Sequence, residues 1–144
     1  MALHLLKLCV GAESIEDLAS WIAERRAAAT AAGRVYEQTH TTRMVPTRTA
    51  ELLGGGALYW VIKGQVSARQ ALLDIRPFVD GDGIRRCHLV LDQEVVPVVP
   101  RPSRPFQGWR YLAAKDAPAD LAAGGSGADL PEALRRELSA LGLL

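Results

Sequence analysis

The stretch from Ala57 to Ile75, ALYWVIKGQVSARQALLDI, limits the possible folds more than any other part of the chain. An apolar run leads up to Lys63-Gly64 and a second apolar-rich run leads away from it. Glycine accepts a positive φ without steric cost, so Lys63-Gly64 can close a tight turn and let the flanks pair as an antiparallel hairpin. Leu58, Trp60 and Ile62 then share one face and read as core.

The remaining pattern supplies more strands and a few helices. LHLLKLCVG is short, apolar and stopped by a glycine, which suits a buried strand with Leu3 and Leu5 inward. Ser14 reads as an N-cap. Glu16 and Asp17 sit at the positive end of the helix that follows, and Ile15, Leu18, Ala19, Ile22 and Ala29 recur at helical spacing until Gly33. RVYEQTHTTRM has strand composition and is broken by Pro46; TRTAELL predicts a short helix ended by the glycine run at 54–56. DGDG at 80–83 marks a second hairpin. In the strand after it Cys87, Leu89 and Leu91 share one face, while Arg86, His88 and Val90 share the other. VVPVVPRPSRPFQG loses ladder donors at its prolines, which confines it to an edge strand or an extended loop, and WRYL can rejoin the sheet.

Residues 1–116 are therefore expected to form one α+β domain, a curved antiparallel sheet or small β-barrel with an N-terminal helix and a short helix. The glycine-rich stretch 117–128 reads as a flexible tether. A C-terminal helix is expected over 129–144, with Asp129 and Glu132 as a cap signature and Leu134, Leu138 and Leu141 as its stripe.

The 144 residues are 49% hydrophobic, enough for a core without staples. A formal charge of +1 does not by itself indicate a polyanion partner, but the distribution is uneven. Residues 40–76 and 85–110 each carry five basic and two acidic side chains, and the rest of the chain is net acidic. Cys9 and Cys87 lie among apolar neighbours and read as reduced thiols. Lys7 interrupts the apolar start, and bulky Leu8 before Cys9 spoils a lipoprotein-type cleavage site. With no run long enough for a membrane span, the expectation is a soluble cytoplasmic chain without a membrane partner.

The side chains capable of chemistry give few specific patterns. Cys87 and His88 are adjacent on a strand and point to opposite faces, so they do not form a nucleophile–base pair. His4, Cys9, His40, Cys87 and His88 lack metal-ligand spacing, and no metal or other cofactor is expected. The glycine run precedes a strand instead of opening a helix, which rules out a phosphate-cradling loop of the nucleotide-binding kind. What survives is a basic, hydroxyl and aromatic set: His40, Thr42, Arg43, Arg48, Lys63, Arg86, His88, Arg104, Trp109 and Arg110. Arginine and threonine donors hold phosphates and an exposed indole stacks on an unpaired base, so RNA is the ligand these residues suggest. Two other readings stay open at this point. One is a small hydrolase of nucleosides or nucleotides using His40, Thr42, Lys63 and His88, and the other is an interaction protein that docks through its C-terminal helix.

GGGALYWVIKGQVSARQ, with HLLKLCVG at the start and RPFQGWRYL late in the chain, resembles a bacterial family of uncharacterised proteins, domain of unknown function 1489. The likeness covers nearly the whole chain and implies a bacterial cytoplasmic protein; it brings no activity or catalytic residues. Residues 40–76 are also loosely similar in layout to the PUA-like superfamily and its ASCH branch, small β-barrels that often bind RNA. In YEQTHTTRM, Thr41 and Arg43 match the last hydroxyl and arginine of the ASCH signature. Gln38 stands in place of its lysine and Tyr36 in place of its glycine. The lysine is the residue some relatives use to hydrolyse modified nucleosides, so the resemblance implies binding and argues against an enzyme of that kind.

Overall fold

The computed structural model describes residues 3–9, 11–104 and 106–121. In chain order these form β1 (Leu3–Leu8), α1 (Ile15–Ala31), β2 (Gln38–Thr42), α2 (Thr49–Leu53), β3 (Ala57–Ile62), β4 (Gln65–Val79), β5 (Arg85–Leu91), β6 (Val96–Pro102), β7 (Trp109–Ala113) and a 3-10 turn (Ala114–Asp116). The strands make one sheet in the order β2-β5-β4-β3-β1-β7, with β6 also paired to β4. It is mixed, which corrects the antiparallel expectation: β1 and β3 run parallel, Leu5 opposite Leu58 and Lys7 opposite Trp60. The reason is connectivity. Parallel neighbours need a long crossover, and α1, β2 and α2 together supply it. The sheet is also open, and no strand among the described residues pairs β2 with β7, so these strands do not close the expected barrel.

The β3–β4 hairpin forms at Lys63-Gly64 with φ of 50° and 77°, the two left-handed residues of a type I′ turn. β4 then changes partners along its length. Leu72 N–H bonds Gly56 O on one side, and Ala71 O accepts from Asp92 N–H. Successive residues aim their backbone groups at opposite edges, so β5 lies on the edge away from β3. β6 continues along that same edge and pairs with the first part of β4, while β5 pairs with the second. Pro97, Pro100 and Pro102 are thus tolerated on an edge strand, as the sequence indicates. An irregularity between Leu72 and Asp74 lets the strand bend where the partner changes.

β3 is buried on both faces, and each face has its own core. On one, Leu58, Trp60 and Ile62 meet Leu5, Cys87, Leu89 and Leu91 under Ile15, Leu18 and Ile22 of α1. Ser14 Oγ caps that helix by accepting from Asp17 N–H at 3.1 Å. Ala19, expected in its apolar stripe, faces out. On the other face Tyr59, Val61, Val66 and Val98 pack with Leu6, Phe106, Leu112 and Ala117. Trp60 Nε1–H donates to Gln70 Oε1 at 2.9 Å and Gln70 Nε2 to Asp92 O at 2.7 Å, so this buried amide is satisfied at both ends. Gly56 allows a close approach that no side chain permits, since a Cβ there would stand 2.2 Å from Leu3 O and 2.3 Å from Leu52 O.

The first residues of the expected tether are part of the fold. Arg69 holds Asp120 through two hydrogen bonds of 2.7 and 2.6 Å, Val99 N–H bonds Ala119 O, and Leu121 is buried. The rest of the tether and the expected C-terminal helix lie outside the described residues. No described helix is long and apolar enough to cross a membrane.

Candidate nucleic-acid interface

The segment after β2 folds back over the outer side of β7 and brings basic and aromatic groups from distant parts of the chain together. Thr42 is buried, and its Oγ1 donates to Met44 O at 3.0 Å; the same carbonyl accepts from Trp109 Nε1–H at 2.8 Å. Farther along β7, Tyr111 Oη accepts from the backbone N–H groups of Thr47 and Arg48 at 3.1 and 3.3 Å. Three pinned points therefore set the path of residues 43–48. They also place Arg48 with its guanidinium carbon 5.6 Å from the Tyr111 ring centre, in reach of a cation–π contact. Arg110 makes the equivalent contact with Phe106 at 5.1 Å.

This edge is open to solvent, with Met44 52% and Tyr111 36% exposed. Arg43, Arg104 and Arg110 are exposed, and none has a carboxylate partner among the described residues. Arg48 is partly neutralised by Glu51 at 2.5 Å. Burial raises the Tyr111 pKa, but the hydrogen bonds from Thr47 and Arg48 together with the Arg48 charge outweigh it and hold the phenol below its ordinary value.

The other expected site residues go elsewhere. Trp109 is a correction: at 7% exposure it belongs to the core under α1 and is no exposed stacking platform. Tyr111, edge-on to it at 4.8 Å, is the accessible ring. His40 also turns inward, edge-on to Trp60 at 5.2 Å. Burial first, then the charges of Lys7 and Arg25, push its pKa down to about 4, so at neutral pH it carries no charge to offer a phosphate. Lys63 stands at its hairpin tip 3.8 Å from Glu13. Arg86 is bound to Asp80, and His88 stacks on Phe78 and shares a 3.0 Å hydrogen bond with Thr41 Oγ1. His40, Thr42, Lys63 and His88, the hydrolase set, therefore do not converge. Cys87 is buried on the face opposite His88, as strand alternation requires.

Arg43, Arg48 and Arg110 are thus brought to the β7 edge, Arg110 on the face opposite Tyr111, with Thr42 and Trp109 buried beneath it, and Arg104 lies in the segment that leads into it. Tyr111, Phe106 and Met44 were missed by sequence reasoning. A signal for Tyr111 existed in WRYL, where alternation puts Trp109 and Tyr111 on one face and Arg110 on the other. Away from this edge some cations are matched with acids, since Arg76 holds Glu37 and Asp74, and Arg69 holds Asp120, while Arg25, Arg34 and Arg85 are exposed with no carboxylate partner among the described residues.

Compared with known families, residues 5–144 match the model described as "Protein of unknown function (DUF1489)". The chain belongs to the DUF1489 family. No curated protein and no solved structure gave a match. The DUF1489 match spans both the β3–β4 hairpin and the β7 edge, and it does not extend to the looser PUA-like likeness.

Proposed function

We propose that this DUF1489 chain is a nucleic-acid-binding module that holds single-stranded RNA along the β7 edge. Arg43, Arg104 and Arg110 take phosphates, Arg48 contributes in part, and Tyr111 with Phe106 offers faces for unpaired bases. The observation that carries this reading is the pair of guanidinium–aromatic contacts, Arg48 on Tyr111 and Arg110 on Phe106, that flank the two faces of the edge strand β7, together with Arg43, Arg104 and Arg110, which are exposed and have no carboxylate partner among the described residues. Arginine beside an accessible ring is an arrangement that grips backbone and base together, and it is tolerant of sequence. In this reading the chain works in the cytoplasm, with Cys9 and Cys87 as free thiols.

The test is fluorescence anisotropy of a labelled oligouridylate at low salt, run beside an uncharged-backbone analogue of the same sequence. The RNA is expected to bind at least about tenfold more tightly, since phosphate neutralisation supplies most of such affinity. Equal signals from the two strands, or none from either, would overturn the proposal.

A further inference from the structure

Away from the β7 edge, the second face of the sheet carries a cavity of roughly 350 Å³ whose walls include His4, Gly56, Tyr59, Arg69 and Asp120. This lies at the lower end of the roughly 300–1,000 Å³ usual for small-ligand sites. β1, β3, β4 and the ordered segment after the 3-10 turn each deliver one polar group to it.

The hydrogen bonds define what each group still has to offer. His4 Nδ1 accepts from Ala57 N–H at 3.0 Å, which fixes the tautomer and leaves its proton on Nε2. Arg69 uses Nε and Nη2 on Asp120 and keeps Nη1, and both Asp120 oxygens retain a further lone pair. Tyr59 is only 5% exposed and stands edge-on to His4 at 5.1 Å, and after burial the charges that act on its hydroxyl are those of Arg69 and Asp120. Gly56 leaves one wall as bare backbone, because a Cβ there would collide with Leu3 O and Leu52 O.

Charge then selects the ligand class. Arg69 and Asp120 cancel, and His4 is held neutral by burial and by the Arg69 charge, so nothing here favours a free phosphate or carboxylate. The set offers several N–H or O–H donors beside one carboxylate acceptor, the complement of a flat ring that carries an N–H next to a carbonyl. We propose that this cavity binds a nucleobase with a ring N–H beside a carbonyl, the pattern of uracil and hypoxanthine. Asp120 accepts the ring N–H, and Tyr59 with Arg69 donates to the carbonyl. The site is separate from the β7 edge and does not depend on RNA binding there.

The test is calorimetric titration of the full chain with uridine, inosine, cytidine and adenosine, together with the ring signals of His4 in NMR spectra. Uridine and inosine should bind saturably and shift His4. Cytidine and adenosine, which lack the N–H beside a carbonyl, should bind about tenfold more weakly or worse, because a mismatched polar edge leaves buried partners unpaired. Tyr59→Phe should weaken uridine binding by about three- to tenfold, the worth of one hydrogen bond. An R43A/R110A double variant should leave nucleoside binding unchanged, so this result is independent of the β7 edge. Indifference among the four nucleosides, no binding at millimolar concentration, or Tyr59→Phe binding as wild type would overturn the proposal. Should Tyr59→Phe fail to fold, the selectivity of the wild-type chain decides alone.

Discussion

His40 makes stability depend on pH in a window where carboxylates contribute little. Its ring lies inside the curved sheet against Trp60, and its pKa falls from 6.5 to about 4 on folding. Above pH 6.5 the ring is neutral whether folded or unfolded and contributes no difference. As pH falls through 6.5 the unfolded chain takes a proton that the folded chain refuses, so stability declines until about pH 4 and then levels off. At about 1.4 kcal/mol per pH unit, a full shift sets a ceiling of about 3 kcal/mol. The ring is only partly buried, and solvent screening brings the expected loss down to about 1.5 kcal/mol. His4 is shifted in the same direction, so the wild-type slope alone does not isolate His40. His40→Gln does: it removes the titration and keeps a polar group of similar reach. Urea unfolding at pH 7.5, 6.0, 5.0 and 4.5 should show the variant less stable at pH 7.5, where the Trp60 contact is lost, with the gap closing by about 1.5 kcal/mol at pH 4.5. A gap that stays constant across the series would refute the account of His40 as an inward, neutral ring.

Two backbone positions carry further predictions. Gly56→Ala places a methyl group on two carbonyl oxygens of the backbone, Leu3 O and Leu52 O, neither of which can swing aside as a side chain does. Thermal unfolding should show a loss of about 3 kcal/mol or more, or no folded protein, whereas Gly81→Ala, with nothing within 4 Å, should change little. Lys63 occupies the left-handed region at φ 50°, which asparagine tolerates better in this turn. Lys63→Asn should raise stability by about 0.5 kcal/mol, read from the urea midpoint at unchanged slope.

Much of the fold was legible because the deciding forces are local. A glycine beside Lys63 announces a type I′ turn, Ser14 announces a helix start, and alternation along β5 separates Cys87 from His88. The β1–β3 pairing was not legible. Nothing in LHLLKL or ALYWVI states which edge it will meet across a crossover that itself contains a strand and two helices. The basic surface was half legible for the same reason. Composition shows where arginines are, but whether one is free depends on acids that folding brings up from far away, as Asp120 reaches Arg69 across 51 positions. Trp109 shows the limit clearly. WRYL reveals that Trp109 and Tyr111 share a face, yet only the pairing of β7 with β1, Lys7 opposite Trp109, decides which of the two rings is covered.

The salt dependence of RNA binding tests the β7 edge most directly, with labelled single-stranded RNA titrated into wild type and R43A/R110A between about 25 and 200 mM salt. Three to four phosphate contacts predict a log–log slope of about −2 to −3 for the wild type, and removing two arginines should bring it about 1.4 closer to zero. Arg86→Ala, whose guanidinium is bound to Asp80, should leave the slope as it was. A wild-type slope near zero, or the same slope in R43A/R110A as in wild type, would contradict the assignment of this edge as the RNA surface.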